Sequence, residues 1–517
     1  MDNEHSLNWL RELLETAKAE GTDEAKRNTV ASVPTSLIES LLHDSVSTGS
    51  SNELELLGKG IAASPGAAAG VLCFSSDAVM DATDRGEKAV LVCNETTPAD
   101  EIGMRMAEGI VTARGGMASH AAVVARGWGI PAVVGLTDLE ISSESMTIGG
   151  ILLENGADIS LDGATGEVFA GKVQLLKSSE EMDEVETLLK WADEIRSDQI
   201  KIRTNADTGE DAARALSFGA EGIGLCRTEH MFMGDRLPLI QGFILSEEKS
   251  DEEIKSLEAL MLAQREDLSE VIDAMAPYPV TIRLLDAPLH EFLDTENSEE
   301  WAEHNPMLGT RGVRLAILRE QLYRMQSKAI VGALEDVRKS GKQPKADIMV
   351  PLVSDVEELN LVRSWIEQEV SSLEPELRPS IGTMIETPRS AITAEEIAGG
   401  ADFFSFGTND LTQLVFGFSR DDIESRVISM YLDKDILPSN PFEKLDQQGV
   451  GHMIEHAIAN GRKTDPTLEI GVCGEHGGDP ESIAFFFNAG VDYVSCSPFR
   501  VPIARLAAAQ AVLSSAD

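Results

Sequence analysis

From residue 199 to the C-terminus, short apolar runs alternate with segments of helical periodicity. The runs are "KIRTNAD", "EGIGLCR", "VTIRLLD", "ADIMVPLV", "SIGTMIET", "DFFSFGTND", "LEIGVCGE" and "YVSCSP". Buried strands alternating with helices over about 300 residues predict a parallel α/β architecture, and the length suits a (β/α)8 TIM barrel with insertions. Ahead of it, residues 56–172 alternate "GVLCF", "KAVLVCN", "GIVTA" and "PAVVG" with Gly-rich turns, which predicts a compact unit of many short strands and few helices. Residues 173–198 are charged and helical, as a connecting helix would be. At the N-terminus, residues 1–43 form a helical segment: Leu7, Leu10, Leu13, Leu14 and Ala17 share one face, and Ser36 with Glu39 predicts a capping box ahead of Ile38, Leu41 and Leu42. Residues 44–55, "DSVSTGSSNELE", have the Ser/Gly content of a flexible linker.

The charge balance narrows the partners. Against 43 Lys and Arg stand 88 Asp and Glu, a net charge of −45. Such a field repels nucleic acid and anionic membrane surfaces, so neither is expected as a partner, and a small anionic substrate would need a local cluster of Arg and Lys. The 5 cysteines are odd in number, far apart and without CxxC spacing, which predicts neither a disulfide framework nor a zinc site and favours a reducing cytoplasm. The first 20 residues are acidic and amphipathic, unlike a signal peptide, and no apolar run approaches the length of a membrane span.

Polar residues gather where the predicted barrel strands end. Arg227, Arg283, Asp286, Glu386, Asn409, Asp410, Cys473 and Glu475 all lie at or just beyond the C-terminal end of an apolar run, the face where barrel active sites are built. Glu386 and Asp410, with Thr408 and Asn409 beside them, make an all-oxygen set that suits Mg2+. Arg227, Arg283 and Arg311 supply planar forks for a phosphate and a carboxylate. A metal and several arginines around one small cavity predict a small, highly charged phosphorylated acid as substrate. Cys473 by itself reads as a buried apolar filler, and only its neighbours make it a candidate.

One histidine stands apart from that cluster. In "GGMASHAAVVARGWGIPAVVG", His120 follows a glycine pair and opens an apolar helix, so the N–H groups of a first helical turn stand beside its ring. A phosphoryl group on the imidazole would meet those donors and the positive end of the helix dipole. By position alone a histidine near a helix N-terminus is more often structural or incidental; the glycines, which permit close backbone approach, shift the balance toward the anion cradle.

The strings "LGKGIAASPGAAAG", "GGMASHAAVVARG", "GIGLCRTEHMF", "TIRLLDAPLHEFL", "NPMLGTRGVRL", "GTMIETPRSA", "FFSFGTNDLTQLVFGFSRDD", "GVCGEHGG" and "VSCSPFRVPIARLAAAQ" resemble, in order, the phosphoenolpyruvate (PEP)-utilising enzymes, and among them most closely the pyruvate, phosphate dikinases. The resemblance runs from about Leu57 to the C-terminus. It implies that 56–172 is a swivelling β/α phosphohistidine domain and 199–517 a barrel that binds PEP or pyruvate. It further implies His120 as phosphate carrier, Glu386 and Asp410 as Mg2+ ligands that also face the substrate, and Arg227 and Arg283 around the phosphoryl group. Arg311 falls near the phosphate, Thr408 and Asn409 against substrate, and Cys473 where it exchanges a proton with the methyl carbon. A homodimer joined through the barrel is implied too.

Two departures from the dikinase pattern stand out. Ala118 takes the place of a threonine that some members phosphorylate, so that regulation is not expected. Only about 55 residues precede the carrier region where dikinases have an ATP-grasp nucleotide domain. Three readings follow: a PEP half-enzyme whose nucleotide chemistry is supplied in trans by a separate ATP-grasp subunit; a PEP–protein phosphotransferase resembling Enzyme I of the sugar phosphotransferase system, with a small phosphocarrier protein as acceptor; or a non-catalytic PEP-binding remnant or sensor. Retention of His120, both metal carboxylates, the arginines and Cys473 counts against the last.

Overall fold

The structure is a computed structural model that describes residues 3–46, 54–97, 100–116, 119–142, 144–176, 183–293, 303–423 and 427–515. Most of the expected linker, Met117 and Ala118 beside His120, and residues 177–182 of the connecting segment lie outside the described residues. Two compact units are formed, Met1–Ile195 with Ser419–Glu443, and Arg196–Phe418 with Lys444–Asp517.

The first unit begins with helices α1 (Asn3–Glu20), α2 (Asp23–Ser32) and α3 (Thr35–Leu41). Leu10, Leu14 and Ala17 are buried along one face of α1, as their spacing predicts. The expected capping box at Ser36 does not form. Pro34, at φ −64° and ψ 137°, takes the cap position of α3 and has no side-chain cap bond, so Ser36 falls inside the first turn, too late to cap it. The charged helix α4 (Asp183–Arg196) pairs with the N-terminal helices through Arg11–Glu184 at 2.7 Å and Lys26–Glu194 at 2.9 Å.

An 8-stranded mixed sheet makes up the body of this unit. In chain order its strands are β1 (Glu55–Lys59), β2 (Ile61–Ser64), β3 (Ala67–Cys73), β4 (Ala89–Cys93), β5 (Gly109–Thr112), β6 (Ala132–Val134), β7 (Asp158–Asp162) and β8 (Glu167–Ala170). They lie in the order β1-β8-β7-β3-β4-β5-β6-β2, with β3 to β6 mutually parallel. Both faces are covered, which is why the strand Ala89–Cys93 is apolar throughout. The pleat sends Val90 and Val92 into a core with Ile159 and Leu161, and Ala89 and Leu91 into a second core with Ala121, Ala122 and Ala125.

In the second unit all eight apolar runs become the strands of a closed parallel barrel: β9 (Lys201–Asn205), β10 (Ile223–Arg227), β11 (Pro279–Arg283), β12 (Lys345–Val350), β13 (Ser380–Ile385), β14 (Phe403–Phe406), β15 (Glu469–Val472) and β16 (Tyr493–Cys496). Their register places the chemistry. Arg227 pairs with Arg283 across β10 and β11, Ile385 with Phe406 across β13 and β14, and Phe406 with Val472 across β14 and β15. Glu386, Gly407 and Cys473, each one residue further on, therefore emerge side by side at the C-terminal rim. Among the described residues no helix is long and apolar enough to cross a membrane.

Candidate active site

Parallel strands end in step, so residues far apart in sequence converge at one barrel mouth. Arg283, the last residue of β11, is buried and lies 3.1 Å from Glu229 Oε1 and 3.4 Å from Asp286 Oδ2. Arg311, at the cap of the short helix Gly312–Leu318, grips Asp286 with two bonds: Nε donates to Oδ1 at 2.9 Å and Nη2 to Oδ2 at 2.7 Å. The same Nη2 reaches Asp410 Oδ2 at 3.1 Å. Arg311 is thus held by a two-pronged contact with one carboxylate and Arg283 by one contact to each of two, so both forks are fixed in place at the barrel mouth. Arg227 is fixed through its backbone, whose N–H donates to Asp207 Oδ1 at 2.6 Å.

The carboxylates outnumber the cations that pair with them. Asp286, Glu386 and Asp410 each offer an oxygen within 4.8 Å of the others, and Glu229 stands behind them. Glu386 is fully buried. Its Oε1 accepts the N–H of Leu352 at 2.6 Å, and its Oε2 is buried with no hydrogen-bond partner among the described residues. Burial, and after it the neighbouring charges of Asp410 and Asp286, push the Glu386 carboxyl well above the usual carboxylate range. An orphaned buried oxygen among like charges is what a divalent cation would relieve, so this donor set fits Mg2+. Leu352, whose N–H makes this contact, has a left-handed backbone, φ 60°, a conformation costly for a leucine that the surrounding packing must hold.

Cys473 is buried, and burial, with the Glu386 charge adding to it, pushes its thiol up to about 11, only partly offset by the Ser405 hydroxyl and, more weakly, by Arg283 and Arg227. The thiol is therefore protonated at neutral pH. Thr408, fully buried, opens helix α5 (Thr408–Phe416), and its hydroxyl lies 2.8 Å from His476 Nδ1. Asn409 accepts the N–H of Glu475 through Oδ1 at 3.1 Å.

His120 lies in the other unit, as the first residue of its helix, His120–Trp128. Its Nδ1 is 2.9 Å from the hydroxyl of Thr96, in the loop after β4. The two glycines before it are not equivalent. Gly115 has φ +111° and a Cβ there would come within 2.8 Å of Ser119, whereas a Cβ at Gly116 meets nothing within 4 Å among the described residues. Gly115→Ala is accordingly expected to destabilise this unit by about 1–3 kcal/mol and Gly116→Ala to stay within about 0.5 kcal/mol, as measured by urea unfolding. Equal losses at both positions would contradict the backbone argument.

Sequence reading reaches the ends of the strands but not what stands behind them. Glu229 sits two residues after Arg227 and accepts the N–H of Asp286 at 2.7 Å while pairing with Arg283. Gln326 joins the N–H of Leu285 at 2.9 Å to the hydroxyl of Thr228 at 2.9 Å, and the Tyr323 hydroxyl donates to Leu285 O at 2.9 Å. The signal for Glu229 is a carboxylate two residues after Arg227, just past the end of the apolar run "GIGLC".

Residues 179–513 match the family described as PEP-utilising enzyme, PEP-binding domain, and residues 86–166 match the PEP-utilising enzyme, mobile domain. The chain belongs to the PEP-utilising enzymes. This PEP-utilising chain is 46% identical over 505 residues to "Pyruvate, phosphate dikinase, chloroplastic" of Mesembryanthemum crystallinum, an alignment covering 92% of this chain and 53% of that protein. It is 44% identical over 506 residues to "Pyruvate, phosphate dikinase" of Clostridium symbiosum, covering 92% and 57%. The chain spans about half the length of the curated relatives it matches.

Proposed function

We propose that this chain moves a phosphoryl group between PEP and His120, as the PEP-handling part of a dikinase-like reaction. One arrangement supports this above all: the ring of Asp286, Glu386 and Asp410 oxygens within 4.8 Å, flanked by Arg283 and Arg311, with the Cys473 thiol one strand away. Glu386 and Asp410 would hold Mg2+, which when bound supplies Lewis-acid stabilisation of the enolate oxygen. Arg227, Arg283 and Arg311 hold the phosphate and carboxylate of PEP and stabilise charge on the transferring group, and Asn409 orients the substrate.

The bond from phosphorus to the enol oxygen breaks as a bond to the imidazole forms. The Thr96 hydroxyl, 2.9 Å from Nδ1, would steady the ring while Nε2 takes the phosphoryl group. The electron pair left on the enol oxygen makes the three-carbon fragment an enolate. Cys473, protonated at neutral pH, gives its proton to the methylene carbon; pyruvate leaves, and the thiolate regains a proton from water. From His120 the group passes to a nucleotide-binding unit of the ATP-grasp type, a reading supported by the identity to dikinases. Radiolabelled PEP with Mg2+ is expected to give an acid-labile, base-stable phosphoprotein whose label maps to the peptide containing His120. No label, or label on another residue, overturns the proposal. A small phosphocarrier protein, and not an ATP-grasp protein, recovered with the chain from native extract would replace the proposed acceptor.

A further inference from the structure

The rim of the barrel holds one buried imidazole that the mechanism above leaves without a task. His476 is fully buried in the short turn Glu475–Gly478, three residues after Cys473. Its Nδ1 lies 2.8 Å from Thr408 Oγ1, and Thr408 stands two residues before Asp410 at the head of α5. A threonine hydroxyl donates or accepts, so the bond forms with either imidazole tautomer.

The turn after β15 and the head of α5 touch at several points there. A Cβ on Gly474 would fall 1.9 Å from Thr408 Oγ1 and 2.9 Å from Thr408 N, so no other residue fits without moving Thr408. Glu475 N–H donates to Asn409 Oδ1 at 3.1 Å, and Cys473 N–H donates to Phe406 O at 3.1 Å. On the opposite side, Asn205 Nδ2 donates to Cys473 O at 3.1 Å, and a Cβ on Gly477 would lie 2.3 Å from Ser495 O. The turn carrying the thiol is therefore pressed between β16 and the head of α5, and the His476–Thr408 bond joins buried side chains across that seam.

We infer that His476 is a positioning residue: by holding Thr408 it fixes the distance between the Asp410 carboxylate and the Cys473 thiol. This rests on the roles proposed above for Asp410 and Cys473. The thiol must reach the methylene carbon of a substrate placed by Asp410, and a shift of about 1 Å between them costs about 10²-fold in rate. A buried hydroxyl deprived of its partner would re-aim the head of α5, since an unsatisfied polar group is costly there.

The test compares His476→Leu, which removes the bond, with His476→Asn, whose side-chain amide reaches the position of Nδ1, and with Thr408→Val. In wild type, the rate of pyruvate formation from PEP as His120 is phosphorylated gives the reference maximal rate (kcat) and KM, because it includes the proton given by Cys473, and Mn2+ titration followed by electron paramagnetic resonance gives the affinity of the carboxylate set without turnover. His476→Leu and Thr408→Val are expected to lower kcat by about 10²-fold with KM within about threefold, and to weaken Mn2+ binding about tenfold. His476→Asn is expected to recover most of both losses. Because the bond is shared, the double variant should be no worse than either single one. Unchanged kcat and Mn2+ affinity in both single variants overturns the inference, and so do equal losses in the Asn and Leu variants. Should His476→Leu fail to fold, the nearly isosteric Thr408→Val decides. If wild type takes no label from PEP, the proposed function fails and the Mn2+ series alone decides the role of His476.

Discussion

Glu386→Gln is expected to make the metal-free protein more stable while reducing PEP-dependent labelling to background. The two effects have one cause. Glu386 is fully buried, and burial with the charges of Asp410 and Asp286 pushes its carboxyl well above the ordinary range near pH 4.3. Between that ordinary value and the raised one, the native state keeps a proton that the unfolded chain has given up. Stability of the metal-free protein therefore falls as pH rises through this window, and levels off once pH passes the folded value. A glutamine removes the slope. Its carbonyl still accepts from Leu352 N–H, now 2.6 Å from Glu386 Oε1, and its NH2 replaces the orphaned Oε2 with a donor among the carboxylates of Asp286 and Asp410. In EDTA, melting temperature against pH should fall for wild type and run flatter and higher for the variant. With saturating Mg2+ the order should reverse at neutral pH, because only wild type gains binding energy. Losing several kcal/mol of charge stabilisation corresponds to about 10³-fold or more in the labelling rate. A variant that is less stable in EDTA, or that still labels, would refute the charge argument.

What the amino-acid sequence discloses here follows from which interactions are local. The eight barrel strands are legible because a parallel strand covered on both faces is a continuous apolar run, and Arg283, Glu386 and Cys473 are legible because they stop such runs. The same logic fails for partners brought together only by closure of the barrel. Asp286 and Arg311 are 25 residues apart, Leu352 and Glu386 are 34 apart, and Arg311 and Asp410 are 99 apart. No periodicity relates them; the strand register does. Thr96 is hidden in the same way, since its loop reaches His120 only because β4 and β5 lie side by side. Ser36 fails for a local reason: two rules competed, and the fixed φ of Pro34 started the helix before the serine could cap it. Even the glycine pair before His120 splits, because a positive φ and a close approach are properties of the fold at Gly115 alone.

Arg311→Met should cost both stability and chemistry, and a second substitution should return only the stability. Arg311 and Asp286 have side chains 5% and 0% exposed, joined by two bonds of 2.9 and 2.7 Å. Removing the guanidinium leaves the Asp286 carboxylate buried with Arg283 Nη1 at 3.4 Å as its remaining cation, and Arg283 is itself shared with Glu229. Breaking a buried pair by deleting one partner typically costs about 3–5 kcal/mol, because the surviving charge is uncompensated. Arg311→Met should therefore unfold at markedly lower urea than wild type. Asp286→Asn in the same chain removes the stranded charge at nearly constant volume, and the double variant should recover to within about 1 kcal/mol of wild type. Labelling should not recover, because the fork that reaches from Asp286 toward Asp410 is gone from the place where the phosphoryl charge develops. A double variant as unstable as Arg311→Met would show that lost packing of the long side chain, and not a buried charge, sets the cost. Recovery of labelling along with stability would show that Arg311 serves the fold alone and that Arg227 and Arg283 suffice for the phosphate.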